Sequence, residues 1–167
     1  MSACNKKLGY SLVEMLIYVA ILAFICIVVV STITSFSQSY RNITALRLLD
    51  HSANDSLERM TRDIRASISI DLTNSLFGTS PGVLVLQNNS TTTKFYIFNK
   101  ALQVDVNNAS SGPITNSKAS ITNLVFTKIS NSISVAIKID MTISATDGQA
   151  TKTKIYHSTI ISKKAAP

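Results

Sequence analysis

The residue with the clearest chemical role is Glu14, a carboxylate near the start of a long apolar segment. It is the only charged residue from Leu12 to Ile33, and the sixteen residues Met15 to Val30 are all apolar. A carboxylate in such a segment costs about 2.5 to 3.5 kcal/mol on membrane insertion, and residues of this kind are usually paired and functional. Glu14 has no cation within helical reach on its own chain, so either a partner is supplied from elsewhere or the carboxylate rests passively at headgroup level.

Other patterns that carry catalysis or metal binding are missing from the sequence. It contains no nucleophile elbow, Walker loop, dinucleotide fingerprint or metal-spaced histidine cluster. His51 and His157 stand outside any partner motif, and the loop acids are too few for a Ca²⁺ ligand set. Cys4 precedes the apolar segment and Cys26 lies within it, which argues against a disulfide framework or a cysteine zinc site. We therefore predict no enzyme, no cofactor and no metal.

The composition is typical of an anchored protein with about one domain. A chain of 167 residues fits one domain of roughly 100 to 200 residues. With 46% hydrophobic and 15% charged residues, it is too apolar for a disordered chain or an ordinary soluble domain. The net charge of +7 comes from thinly spread bases, two of which, Lys6 and Lys7, precede the apolar segment. We interpret this charge as solvated surface, and nucleic acid is not an expected partner.

The first part of the chain can form one long helix, because no Gly or Pro occurs between residues 10 and 77. The 22 residues Leu12 to Ile33 can cross about 30 Å of hydrocarbon at about 1.5 Å per residue. Beyond them, apolar residues recur at steps of three and four, which predicts an amphipathic stem. This stripe consists of Phe36, Tyr40, Ile43, Leu46, Leu49 or Asp50, Ala53, Leu57, Met60, Ile64 and Ile68. Helix propensity is weakest from Val28 to Thr34, where β-branched residues cluster.

After Gly82 the hydrophobic period becomes two, which predicts short strands in an antiparallel sheet. Tight turns are predicted at Phe98-Asn99-Lys100-Ala101 and at Ser130-Asn131. The sheet must bury one face, and the apolar stripe of the stem is its largest available partner. The predicted strands are Val83 to Leu86, Thr93 to Phe98, Ala101 to Val106, Ile121 to Ile129, Ser132 to Ser144 and Thr151 to Ser162.

The N-terminal residues resemble a known processing signal. Lys6-Lys7-Leu8-Gly9-Tyr10, followed by Glu14, is similar to the class III signal of the type IV pilin superfamily. That signal has a short basic leader ending in Gly, then an apolar or aromatic residue, and Glu five places after the cut. The resemblance implies recognition of the leader through Lys6 and Lys7, cleavage between Gly9 and Tyr10 by a prepilin peptidase, and N-methylation of Tyr10. It further implies that Glu14 pairs with the freed amine of a neighbouring subunit and so directs assembly.

A second resemblance concerns the stem and the strands after it. Ser56 to Arg65 is similar to the end of the long helix in J-type minor pseudopilins and W-type minor pilins, and Phe95 to Leu102 to the strand-turn-strand that follows there. Within this stretch, the spacing of Glu58 with Arg62 and of Arg59 with Asp63 predicts exposed i,i+4 ion pairs.

Together these features predict an α+β, pilin-like fold in which a long N-terminal helix packs on an antiparallel sheet. The expected parts are a leader at 1–9, a transmembrane and assembly half at 10–35, a stem at 36–69 and a β-rich head at 70–167. The expected function is that of a structural minor pilin or pseudopilin, which enters or initiates a type IV pilus or a type II secretion pseudopilus. Its expected partners are the prepilin peptidase and other pilins, and it would cross the inner membrane once with its head outside the cytoplasm.

Several alternatives remain open from the sequence. The apolar segment could be a secretory signal, although its length exceeds the usual 7 to 15 residues and Ser31 to Ser39 would have to supply the cleavage site. It could also be an unprocessed single-pass anchor. The whole chain could then be a membrane-anchored adhesin or binding module that never polymerises, or a competence-type subunit in DNA uptake.

Overall fold

A single helix is followed by eight strands in the computed structural model, which describes residues 11–130 and 135–162. The chain therefore belongs to the α+β class, as the sequence predicts. Helix α1 is Leu12–Ala66. The strands are β1 (Ser69–Ile70), β2 (Leu84–Asn88), β3 (Thr91–Phe98), β4 (Ala101–Val106), β5 (Ala109–Pro113), β6 (Ala119–Ser130), β7 (Val135–Asp147) and β8 (Ala150–Ile161).

Helix α1 continues through the segment of weakest helix propensity. The Thr32 hydroxyl donates to the carbonyl of Val28 at 2.8 Å, and the Thr34 hydroxyl donates to the carbonyl of Ser31 at 2.9 Å. Bonds of this kind let threonine satisfy its hydroxyl inside an apolar helix. The helix ends where the Ser67 hydroxyl donates to the carbonyl of Ile64 at 2.7 Å, since this bond uses an acceptor that the last turn leaves free.

The described part of the chain divides after Tyr40 into two compact units, the first ending at Tyr40 and the second beginning at Arg41. In the second unit, the strands form two antiparallel sheets. One sheet has the order β1-β2-β3-β4-β5, and the other has the order β6-β7-β8. The sequence predicts a single sheet and neither β1 nor β5, which are only two and five residues long. The predicted strand from Ser132 begins partly outside the described residues, and β7 is described from Val135.

The two sheets join through the backbone beside Gly82. Its amide donates to the carbonyl of Leu124 at 2.8 Å, and the Gly78 amide donates to the carbonyl of Phe126 at 2.8 Å. A Cβ at position 82 would lie 2.9 Å from the Phe126 ring, so only glycine permits this close approach. The amide of Ile121 donates to the carbonyl of Lys100 at 2.7 Å and completes the connection.

Asparagine and lysine residues with positive φ form the tight turns. Asn99 and Lys100 have φ of 50° and 63°, which confirms the turn predicted between β3 and β4. Asn107 and Asn108, with φ of 53° and 64°, form a second such turn that the sequence analysis missed. Asparagine tolerates this left-handed conformation, so the Asn-Asn pair was an available signal. The turn predicted at Ser130-Asn131 lies partly outside the described residues.

The core lies between the stem and the inner faces of the strands. Its largest fully buried side chains include Phe95 and Phe126, and Met60 and Ile64 of α1 belong to the same buried cluster. Leu57, predicted to be buried, is only partly buried at the edge of this cluster. The predicted packing of the stem on the sheets is therefore confirmed for Met60 and Ile64.

The predicted stripe enters the core at Leu49, Ala53, Met60 and Ile64, but its N-terminal members do not. Ile43 is 51% exposed and Leu46 is 41% exposed, although both were expected to lie against the sheet. Smaller residues of neighbouring positions are buried together with the large ones. The buried residues of α1 are Ala45, Leu49, Ser52, Ala53, Ser56, Met60 and Ile64.

Candidate functional site

The candidate site lies in the first turn of α1, around Glu14. Ser11 directly precedes the helix, and its carbonyl accepts hydrogen bonds from the amides of Glu14 at 3.0 Å and Met15 at 3.2 Å. The spacing from Ser11 to Glu14 is that of a capping box, a signal that the sequence analysis missed. A carboxylate in this position also interacts favourably with the positive end of the helix dipole.

Glu14 has a hydrogen-bond partner that the sequence analysis did not identify. The hydroxyl of Tyr18, one turn further along, donates to Oε1 of Glu14 at 3.1 Å. No ion pair of Glu14 and no bond to its second carboxylate oxygen occurs within the described ranges 11–130 and 135–162. The tyrosine therefore orients the carboxylate without neutralising it, so one oxygen remains available for a cation.

The other predicted site residues precede the described part of the chain. Lys6, Lys7, Gly9 and Tyr10 lie outside it, so the cleavage site, the methylated terminus and the leader recognition stay predictions. The structure thus brings Glu14 together with Ser11 and Tyr18.

The helix surface that follows Glu14 is apolar and uncovered. An 18-residue window of α1 reaches a mean hydropathy of 2.9, and none of that window is buried inside the protein. Exposure of the large apolar side chains ranges from 81% at Leu12 to 47% at Val28. By length and composition, this helix can cross a membrane. The apolar surface can be covered by lipid or by other helices.

In the second unit, a polar cluster ties the stem to strand β8. Asp50 of α1 accepts a hydrogen bond from the Tyr156 hydroxyl and another from Nζ of Lys154 at 3.0 Å. The bond from Tyr156, followed by that from Lys154, lowers the pKa of Asp50 below its ordinary value of 3.8. Burial and then the bond to Asp50 raise the pKa of Tyr156. Asp50 thus holds the last strand against the helix.

The histidines are engaged by neighbouring carboxylates. Nδ1 of His51 lies 2.6 Å from Oδ2 of Asp55, and Nδ1 of His157 lies 2.5 Å from Oδ1 of Asp140. Nζ of Lys138 lies 3.0 Å from Oδ2 of Asp140. The hydrogen bond from His157, followed by that from Lys138, lowers the pKa of Asp140. Among the described residues, no group of three or more His, Cys, Asp or Glu side chains could hold a metal ion.

Acid should destabilise the domain through these aspartates. Because the pKa of Asp50 is lower in the folded chain than in the unfolded chain, its stabilising contribution is present above pH 3.8 and lost as the pH falls further. The pKa of Asp140 is also lowered, so its contribution to stability is likewise lost in acid. We expect the melting temperature to fall between pH 5 and pH 2.5 by a smaller amount in Asp50→Asn than in the unaltered chain. Equal acid sensitivity in both chains would contradict this role of Asp50.

The chain matches no protein-family model, and no curated protein or solved structure is significantly similar to it. The functional proposal below therefore depends on the residues of this chain and on its architecture, a long N-terminal apolar helix joined to antiparallel sheets.

Proposed function

We propose that the chain is a minor pilin or pseudopilin, a structural subunit that enters or initiates a type IV pilus or a type II secretion pseudopilus. In this proposal, the prepilin peptidase removes residues 1–9, and the new terminus at Tyr10 is methylated. Before assembly, the subunit resides in the inner membrane with its head outside the cytoplasm. Its partners in the filament are other pilins. No catalytic activity is proposed.

The observation that carries the proposal is Glu14 at the start of an uncovered apolar helix. An anchor alone gains nothing from a carboxylate there, because the charge opposes insertion. A filament of parallel helices has a use for it, since a charge pair fixes the register of apolar surfaces that would otherwise slide. The hydrogen bond from Tyr18 orients the carboxylate of Glu14 and leaves its other oxygen free to form an ion pair with the amine of a neighbouring subunit.

The exposed apolar residues of the stem also support assembly. Ile43 and Leu46 remain exposed beyond the length of helix needed to span a membrane. Lipid does not cover residues outside the membrane, whereas a neighbouring helix in a filament would. The alternative proposal is a membrane-anchored binding module that never polymerises. It explains neither the carboxylate of Glu14 nor the exposed apolar residues of the stem.

Nucleic-acid uptake receives less support from the charge distribution. Four lysines of the head are engaged within the domain, which lowers the positive charge available to phosphates. Lys118 pairs with Asp147, Lys138 with Asp140 and Lys154 with Asp50, while the ammonium of Lys94 lies 5.1 Å from the ring centre of Tyr96.

Processing gives the first test of the proposal. Cleavage after Gly9 removes nine residues, leaves 158 and lowers the formal net charge from +7 to +5, since two lysines leave. Intact-mass analysis of protein from a host with the peptidase should show this shortened chain. A Gly9→Leu chain should keep its full length, because a bulky side chain before the cut obstructs the peptidase. Gly9→Ala, which keeps a small side chain, should still be processed.

The measured mass also distinguishes a prepilin leader from a simple membrane anchor and from a secretory signal. Full-length protein from the unaltered sequence would contradict the pilin proposal and favour a simple anchor. A chain beginning between Ser31 and Ser39 would indicate a secretory signal instead.

A further inference from the structure

A groove of about 760 Å³ lies beside the last turns of α1 and the end of β8, within the second unit. The helix lines it with Glu58, Arg62 and Arg65, and the strand end lines it with Ile161 and Ser162. None of these residues belongs to the buried hydrophobic cluster, and the filament proposal assigns them no role.

Within residues 11–130 and 135–162, neither arginine of the groove has an ionic partner. The neighbouring pair predicted from the sequence, Arg59 with Asp63, forms at 2.8 Å between Nε and Oδ2. The other predicted pair does not form, because no ion pair joins Glu58 to Arg62 in the chain as described, and Arg65 also has none. Arg62 and Arg65 are exposed and lie one turn apart on the same helix face. Two guanidinium groups are therefore available to one anionic group.

Ser162 has an unsatisfied hydroxyl beside the groove. The residue is 4% exposed, and its hydroxyl oxygen is the buried side-chain polar atom that lacks a hydrogen-bond partner in the described part of the chain. Its amide donates to the carbonyl of Val135 at 2.9 Å, which holds the backbone in place. A buried hydroxyl without a partner is unfavourable, so a ligand group that accepts its hydrogen bond gains affinity.

We propose that this groove binds a carboxylate side chain from an acidic, extended segment of a partner protein. The guanidinium groups of Arg62 and Arg65 donate to the carboxylate in the paired geometry that arginine favours, and Ser162 donates a further bond after rotation of its side chain. Ile161, which is 63% exposed, contacts the aliphatic part of the incoming chain.

Two observations favour a protein segment over a nucleic acid. None of the described residues that line the groove carries an aromatic ring on which a base could stack. The groove also borders the end of β8, which pairs only with β7 among the described strands. An open strand edge of this kind accepts an extended chain through backbone hydrogen bonds. This inference holds whether or not the chain polymerises.

The test uses the full chain in neutral detergent micelles, with a fluorescein-labelled peptide of alternating threonine and glutamate as the probe. We expect saturable binding by fluorescence anisotropy, weakened about tenfold in Arg62→Gln and in Arg65→Gln and about threefold in Ser162→Ala. Arg47→Gln is the matched control, since it removes the same charge from an exposed position of the same helix. It should bind within about twofold of the unaltered chain. Melting curves of all variants verify that they are folded.

Four outcomes would overturn the proposal. The peptide could fail to bind, or its glutamine counterpart could bind equally well, in which case no carboxylate is recognised. Arg47→Gln could weaken binding as much as Arg65→Gln, which would indicate general charge attraction only. A single-stranded oligonucleotide of the same charge could displace the peptide at lower concentration through Arg62 and Arg65, which would indicate a nucleic-acid site. None of these readouts depends on cleavage after Gly9 or on filament formation.

Discussion

Shortening Ile64 to alanine is expected to lower the free energy of unfolding of the domain by about 2 to 5 kcal/mol. Ile64 is fully buried in the core cluster, so the loss combines the transfer energy of the removed methyl and methylene groups with the cavity they leave. Met60→Ala should have a comparable effect, because Met60 is fully buried in the same cluster. Since small domains have total stabilities of about 5 to 15 kcal/mol, either change is severe.

The control for this prediction lies two residues away. Arg62 is exposed and has no partner among the residues described, so Arg62→Ala should change the free energy of unfolding by less than about 1 kcal/mol. Thermal and urea unfolding of residues 39–167, which lack the apolar segment, would measure all three variants. A chain in which Ile64→Ala melts like the unaltered protein while Arg62→Ala unfolds would show that the helix faces the other way.

Under the proposed function, replacing Glu14 by alanine is expected to reduce assembly strongly without harming membrane insertion. Insertion should be retained or improved, because the cost of about 2.5 to 3.5 kcal/mol for a charge in the membrane is removed. Incorporation into the filament should fall by at least about tenfold, since the variant leaves the amine of a neighbouring subunit buried without its counter-charge. Co-purification with other pilins from detergent extracts, normalised to membrane-inserted protein, measures the difference.

The variant Tyr18→Phe tests whether assembly depends on the orientation of the Glu14 carboxylate as well as on its charge. This variant removes the hydroxyl that donates to Oε1 at 3.1 Å but keeps the carboxylate and the ring. We expect its incorporation to stay within about threefold of the unaltered chain, because a single exposed hydrogen bond contributes about 0.5 kcal/mol, which is roughly a twofold effect. Unchanged co-purification of Glu14→Ala would mean that the carboxylate does not direct assembly.

Local patterns in the sequence were sufficient for the helix, most of the strands and the class of fold. The lack of Gly and Pro between residues 10 and 77 predicts a helix, and α1 runs from Leu12 to Ala66. Alternating apolar residues predict β2, β3, β4, β6 and β8 close to where they lie. Such patterns depend on residues near one another in the chain, so they are readable without the tertiary structure. Glu14 stands out for the same reason, as one charge in an apolar run.

Tertiary packing alone decided which face of the stem is buried and which polar groups meet. Ser52 and Ser56 are buried while Ile43 and Leu46 stay exposed, because burial depends on where the strands lie along the helix and not on the hydrophobicity of each side chain alone. The bonds from Lys154 and Tyr156 to Asp50 join residues more than a hundred positions apart, a separation that no local pattern can encode. The groove between Arg65 and Ser162 likewise exists only because the last strand ends beside the last turns of the helix.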